Sequence, residues 1–143
     1  MPDLTAYYQI VEEGIDQLGV NAQEARGEND GEWNLKRGTA SVWIDLWYIE
    51  EEQGAYFQVM SPIMTLPEDE TNMYKLTLEL LKINYTLFGV GFAVQEDGVY
   101  LKNIREVEEL DPSEVVYMIG RCGNYGDSYN DELVKKFGGR RIE

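Results

Sequence analysis

The sequence predicts an α+β fold in which an antiparallel sheet packs with helices, in the order α-β-β-β-α-β-β-α. Three segments carry apolar residues at helical spacing, and five others alternate apolar residues with a period of two. Short turns with glycine separate most of the alternating segments, as in antiparallel hairpins. Because 143 residues suffice to bury a core without disulfides or metals, we expect a single domain over residues 1–143.

The first helix is predicted from Leu4 to Leu18, where apolar residues recur at helical spacing behind Asp3. Gly19 follows at the position where a helix C-cap glycine is common. Residues 21–32 contain few apolar side chains and several Gly, Asn and Asp residues. We therefore predict a polar loop between this helix and the first strand.

The most informative segment is the long strand predicted at residues 39–52, which follows a short strand at residues 33–36. Successive strand residues point to opposite faces. One face carries Val42, Ile44, Leu46 and Tyr48, and the other carries Trp43, Asp45, Trp47 and Ile49. Neither face is polar enough for water, so we expect a helix, a second subunit or a bound chain to cover the tryptophan face. This pattern favours a binding module.

A third strand is predicted over residues 55–66, after a turn at Gly54. Pro62 lies within it and has no N–H to donate, so we expect a bulge or an edge position there. The second helix begins after Pro67 with an acidic first turn. It carries two apolar stripes, Met73, Leu76, Leu80 and Ile83 and, beside them, Tyr74, Leu78, Leu81 and Tyr85. A surface this wide predicts contact with both the core and a partner, as in a dimer.

The remaining elements are a hairpin and a long helix. Strands are predicted at residues 90–94 and 99–104 with a turn between them, and the helix begins at Pro112 behind the N-cap and capping-box pattern of residues 111–114. If unbroken to Phe137 it is about 39 Å long, so we expect its far end to leave the core. One side of it carries Gly120, Gly123 and Gly126, which indicates either close packing or a kink.

Composition excludes several classes of function. With 27 Asp and Glu against 12 Lys and Arg, the formal charge of −15 disfavours binding to nucleic acid or to an anionic membrane surface. The chain has no histidine and a single cysteine, Cys122, so serine triads, Cys–His dyads and His-rich zinc sites are excluded. No cofactor or metal is predicted. We expect Cys122 to act as a small buried hydrophobic residue.

The chain is expected to be cytoplasmic. A lone cysteine cannot form an internal disulfide, which suits a reducing compartment. No stretch near Met1 is typical of a signal peptide, and none approaches the run of about 18 apolar residues that spans a bilayer.

The order of elements, the sequence Asp-Pro-Ser-Glu-Val-Val-Tyr at residues 111–117, and Asp131-Glu132-Leu133 with Phe137-Gly138-Gly139 at the end of the last helix resemble the YbjN family of bacterial proteins. That family has a fold similar to the type III secretion chaperones, and the resemblance covers nearly the whole chain. It implies a small cytoplasmic homodimer that holds a segment of another protein in extended form. Some members of the family are labelled as sensory-transduction regulators.

Two classes of function stay open. The first is a non-enzymatic homodimeric module, chaperone-like or a regulatory adaptor, that binds a protein or peptide partner. Its partner-binding or dimer residues are expected to be Trp43, Trp47, Ile49, Met60, Met64, Met73, Leu76 and Leu80. The second is a small-ligand binder or an enzyme that uses carboxylates, with Asp45 between the two tryptophans or with Asp127 and Asp131 beside Tyr125 and Tyr129.

Overall fold

A computed structural model describes residues 2–142 and confirms the predicted α+β fold and the order of the predicted elements. The helices and strands are α1 (Thr5–Gln17), α2 (Ala22–Ala25), β1 (Glu32–Arg37), β2 (Ala40–Ile49), β3 (Gly54–Thr65), α3 (Glu70–Asn84), β4 (Gly91–Gln95), β5 (Gly98–Glu106) and α4 (Pro112–Phe137). A short 3-10 turn at Glu50–Glu52 leads from β2 to β3.

The strands form one five-stranded antiparallel sheet in the order β1-β2-β3-β5-β4. Helix α4 lies across one face and contacts β1, β2, β3 and β5. The sheet contributes almost fully buried aliphatic side chains to this contact, among them Val42, Ile44, Val59 and Leu101. Helix α1 packs against α4, and α3 packs against α4 and β4. The core therefore lies on one side of the sheet.

Two glycines allow α4 to approach the sheet closely. A Cβ on Gly123 would lie 2.6 Å from the Cβ of Arg37, and a Cβ on Gly126 would lie 2.6 Å from the hydroxyl of Ser61. The close packing predicted for these two positions is confirmed, and the helix runs without a break. Nothing lies within 4 Å of a Cβ on Gly120, so this third glycine serves no close contact.

The far end of α4 stays in the core, so the expectation that it would leave the core is wrong. Leu133 and Phe137 are only 3% and 7% exposed. The C-terminal segment folds back and pairs with the end of β3, where the N–H of Thr65 donates to the carbonyl of Arg140 at 2.7 Å. This pairing brings the tail beside the last turn of the helix. Among residues 2–142, no helix, α4 included, combines the length and the hydropathy that a bilayer span requires.

Two local predictions have different outcomes. The register between β3 and β5 shifts between Pro62 and Met64, so the predicted bulge is confirmed, although β3 is a central strand. The segment predicted as a polar loop contains the one-turn helix α2. Its N-cap is Asn21, whose side chain accepts hydrogen bonds from the N–H groups of Gln23 and Glu24. Four residues are too few to show an apolar period, so the pattern does not reveal this helix.

A side chain closes one position on the β4 edge of the sheet. The amide of Asn84, at the end of α3, accepts a hydrogen bond from the N–H of Phe92 at 2.7 Å and donates one to its carbonyl at 3.2 Å. Both main-chain groups of Phe92 are thus satisfied without a neighbouring strand.

Substitutions at two glycines of α4 test the close approach of helix and sheet. We expect Gly123→Ala to lower the free energy of unfolding by about 1–3 kcal/mol, because the new methyl group overlaps the side chain of Arg37. Gly120→Ala is the matched control on the same helix and should raise it by about 0.5–1 kcal/mol through helix propensity. Urea unfolding measures both. Equal effects of the two substitutions would contradict the packing described here.

Candidate functional site

The face of the sheet opposite α4 carries four of the eight predicted partner residues, and we call it the open face. It presents Trp43, Trp47 and Ile49 of β2, Tyr56 and Met60 of β3, and Tyr100 and Ile104 of β5. Strand pairing sets Trp43 opposite Met60 and Trp47 opposite Tyr56, so these apolar side chains are cross-strand neighbours. All seven keep some exposure to solvent. No helix within residues 2–142 packs across this face.

The third tryptophan of the chain has a different environment. Trp33 is 2% exposed, and its Nε1 donates a hydrogen bond to Glu12 Oε2 at 2.8 Å. The ring of Tyr8 packs edge-on against it, with centroids 5.9 Å apart. Glu12 also accepts two hydrogen bonds from the guanidinium of Arg26, which lower the pKa of its carboxyl group. The core thus encloses the indole of Trp33 and supplies a hydrogen-bond acceptor for its N–H. The two indoles of the open face lack such an enclosure.

Asp45 lies between the two partly buried indoles of the open face. Its neighbours along the strand on this face are Trp43 and Trp47, and its cross-strand neighbours are Glu32 of β1 and Gln58 of β3. Partial burial raises the pKa of Asp45, the negative charge of Glu32 raises it further, and the side chain of Gln58 lowers it. No Lys or Arg of the described residues forms an ion pair with Asp45. The negative charge of Asp45 therefore costs free energy in the isolated folded chain.

A cleft of about 300 Å³ opens beside Asp45, and we call it the acidic cleft. Three acidic residues and no Lys or Arg line it, and the full lining is Asp30, Gly31, Glu32, Asp45, Leu46, Trp47 and Gln58. The carboxylate of Glu32 accepts hydrogen bonds from the N–H and from the side-chain amide of Asn29, both at 3.3 Å. Gly31 attaches the loop that forms one wall of the cleft to β2. Its φ is +83°, its carbonyl accepts the N–H of Leu46 at 2.8 Å, and a Cβ there would overlap the Leu46 carbonyl. Only glycine suits this position.

The predicted partner residues divide into two groups. Trp43, Trp47, Ile49 and Met60 lie together on the open face, and Met73 is half-buried on α3. The other three, Met64, Leu76 and Leu80, are at most 4% exposed. They are core residues of the chain itself, which corrects their assignment to a partner surface. Helical spacing identifies two stripes on α3 but does not say which one turns inward, and the structure turns the Leu76 and Leu80 stripe towards the core.

The outward stripe of the same helix forms a second apolar surface, which we call the α3 stripe. It consists of Tyr74, Leu78, Leu81 and Tyr85, with Phe88 just beyond the helix. These side chains are 69%, 40%, 68%, 94% and 70% exposed in that order. The sequence indicated this stripe as part of a wide apolar surface, but the residues predicted to contact a partner were taken from the inner stripe. Contiguous exposed apolar side chains of this size mark an interaction surface.

Asp127 and Asp131 are exposed on α4, and each makes structural contacts. Asp127 accepts hydrogen bonds from the hydroxyl of Thr39 at 2.5 Å and from its N–H at 2.7 Å, and these lower its pKa. Asp131 forms an ion pair with Arg141 at 3.3 Å, and Arg141 donates to the carbonyl of Thr39 at 2.6 Å. Together they attach the turn between β1 and β2 to α4 and to the C-terminal segment.

Residues 7–143 match the family described as T3SS (YopN, CesT) and YbjN peptide-binding chaperone 1. The chain belongs to this family. The resemblance to YbjN and to type III secretion chaperones that the sequence suggested is therefore confirmed. No curated protein sequence is similar enough to this member of the family to count as a match.

Solved structures of low sequence identity share the fold of this family member. A chain of the HopA1–SchA chaperone–effector complex matches with a TM-score of 0.63 at 12% identity, over 92% of this chain and 99% of that one. A chain of the ExoU–SpcU complex from the Pseudomonas aeruginosa type III secretion system gives 0.57 at 15%, over 88% and 96%. YbjN from E. coli gives 0.55 at 15%, over 99% and 97%.

We expect Asp45→Asn to raise the melting temperature at pH 7, because the amide resembles the protonated carboxyl that the folded state favours. A carboxyl whose pKa is raised on folding contributes stability below its unfolded pKa and loses it as the pH rises through the folded pKa. The gain should therefore be present at pH 7 and disappear as the pH falls towards 3.8, the ordinary pKa of Asp. Thermal unfolding by circular dichroism measures it.

Glu13→Gln, on the exposed side of α1, removes the same charge at a site away from the open face and serves as the control. A gain for Glu13→Gln as large as that for Asp45→Asn would assign the effect to net charge alone and contradict the role of Glu32 and of burial.

Cys122 is expected to be unreactive in the folded protein. It is fully buried, and burial raises the pKa of its thiol to about 12, so almost no thiolate forms at pH 8. Ellman's reagent should label it only in denaturant. Rapid labelling of the native protein would contradict the burial.

Proposed function

We propose that this protein is a non-enzymatic homodimer that binds an extended segment of another polypeptide on the open face of its sheet. The observation that carries the proposal is the incomplete enclosure of Trp43 and Trp47, which lie side by side with other apolar side chains on a sheet face that no helix within residues 2–142 covers. Large aromatic side chains in such positions are common centres of binding energy at protein interfaces.

An extended segment suits this surface. The open face includes the apolar cross-strand pairs Trp43–Met60 and Trp47–Tyr56, and a segment laid over it places alternate side chains against the sheet. Membership of a family of peptide-binding chaperones supports this occupant. The chain with the similar fold in the HopA1–SchA structure comes from a chaperone–effector complex, which supports it further.

The α3 stripe supports the dimer. Four apolar side chains recur along one side of α3 at positions 74, 78, 81 and 85, so a two-fold axis across the helix brings the same stripe of a second copy against it. Such a contact buries side chains that are 40–94% exposed in the single chain. It also leaves the open face free, because α3 packs on α4 and the β4 edge rather than across the sheet.

Of the carboxylates considered for the enzyme alternative, Asp45 is the one that lines a cavity together with other acidic residues, Asp30 and Glu32. The acidic cleft combines carboxylates with Trp47 and Gln58, whereas Asp127 and Asp131 hold structural contacts. We interpret the cleft as part of the binding surface, in agreement with the family. We further propose that residues 1–143 act as one domain and that the protein works in the cytoplasm, where its buried thiol stays reduced.

Substitution of the α3 stripe tests the dimer. The full chain should elute with twice the protomer mass of 16.5 kDa in size-exclusion chromatography with light scattering. Leu81→Glu with Tyr85→Glu should give a monomer with an unchanged circular dichroism spectrum, because two charges cannot be buried without partners. Gln9→Glu with Gln23→Glu adds the same charge on exposed positions of α1 and α2 and should remain a dimer. A wild-type monomer would contradict the proposal.

Selection from a displayed library of random peptides, each about 12 residues long and so roughly 40 Å when extended, tests the open face. The immobilised protein should enrich peptides with several apolar residues, and Trp43→Gln with Trp47→Gln should lose at least about tenfold in affinity for them. Tyr117→Gln, at an aromatic residue of α4 that is 64% exposed, is the control and should bind normally. Failure to enrich any peptide would contradict the proposed function.

A further inference from the structure

Four carboxylates of the described residues form ion pairs with a Lys or Arg, and none of the four lines the acidic cleft. Glu12 is paired with Arg26, Glu114 with Arg105 and Asp131 with Arg141. Asp45, although half-buried, instead faces the like charge of Glu32 across the β1–β2 pair. A positive group placed between these two carboxylates would remove their repulsion. None of the residues that line the cleft is a Lys or Arg that could supply one.

We propose that the polypeptide segment bound on the open face carries an arginine or lysine, and that the acidic cleft receives its charged end beside Trp47. This inference rests on the proposed function and specifies the chemistry of the partner. The commitment to a basic residue comes from charge complementarity, because Asp30, Glu32 and Asp45 line the cleft and no Lys or Arg does.

The other groups at the cleft also suit a basic side chain. The aliphatic stem of Arg or Lys packs well on apolar surface while its head stays polar, and the indole of Trp47 attracts a cation to its face. A guanidinium hydrogen-bonds two carboxylates at once, which favours Arg over Lys. The side-chain amide of Gln58 adds a further polar contact on the β3 side.

The position of Asp45 predicts the surroundings of the basic residue. Trp43 and Trp47 flank it on the same strand face, and Ile104 follows beyond Gln58 on β5. A basic residue in the cleft therefore has apolar neighbours in its own segment, which contact these side chains. The net charge of −15 also attracts a basic segment at long range, although that effect is not specific to the cleft.

The test selects the same displayed peptide library on three immobilised full-length proteins, namely the wild type, Glu32→Gln with Asp45→Asn, and the charge-matched control Glu13→Gln with Glu132→Gln. The wild type and the control should enrich Arg or Lys within apolar peptides. The cleft variant should still enrich apolar peptides but lose the preference for a basic residue. Circular dichroism checks that all three proteins are folded.

A direct measurement uses one selected peptide, labelled with fluorescein, and its analogue with citrulline in place of the arginine. Citrulline has nearly the same shape without the charge. The exchange should weaken binding to the wild type by about tenfold and to the cleft variant by less than about twofold. In the wild type this difference should diminish as salt is added.

The outcomes separate the two proposals. Apolar peptides enriched without any basic residue, or an equal loss on citrulline exchange in the wild type and the cleft variant, would overturn the cationic subsite and leave the proposed function intact. If the control variant loses the preference for a basic residue as fully as the cleft variant does, net charge explains that preference. This result would also overturn the cationic subsite. No enriched peptide at all would overturn the proposed function itself.

Discussion

The one-sided packing of α4 on the sheet determines the rest of this structure. Gly123 and Gly126 let the helix approach the turn and strands of the β1–β2 pair. The aliphatic face of the sheet is therefore buried in the core of the chain itself. With α1 and α3 both packed against α4, no helix of the described residues is left for the opposite face. That face carries Trp43, Trp47 and other apolar side chains beside polar neighbours such as Asp45 and Gln58. With one helical layer, the sheet therefore leaves apolar area uncovered on its second face.

The fold was predictable from the sequence because its signals are local and repeated. The alternation along β2, the capping box at Asp111 and the period of α4 each depend on neighbouring residues, and the structure has all three. The short helix α2 was missed because its cap, Asn21, acts without an apolar period. The course of the tail was missed because its pairing with β3 joins Thr65 to Arg140, far apart in sequence.

The candidate site was predictable only in part. The period-two pattern assigned Trp43, Trp47 and Ile49 to a common face of β2, since a strand allows only two choices. That Met60 shares this face follows from its pairing with Trp43 in the structure. Helical spacing left the two stripes of α3 equivalent, and burial of Leu76 and Leu80 was decided by which side meets α4. The acidic cleft depends on Glu32 lying opposite Asp45 and on a loop held by Gly31, and neither register nor loop path can be read from composition.

The hydrogen bonds between Asn84 and Phe92 have a consequence for assembly. An edge strand with free main-chain groups is a template on which further copies can stack into ordered aggregates. The side-chain amide of Asn84 already pairs with the N–H and the carbonyl of Phe92, the second residue of β4. An incoming strand therefore finds no free main-chain group at Phe92, which disfavours the stacking of further copies along this border.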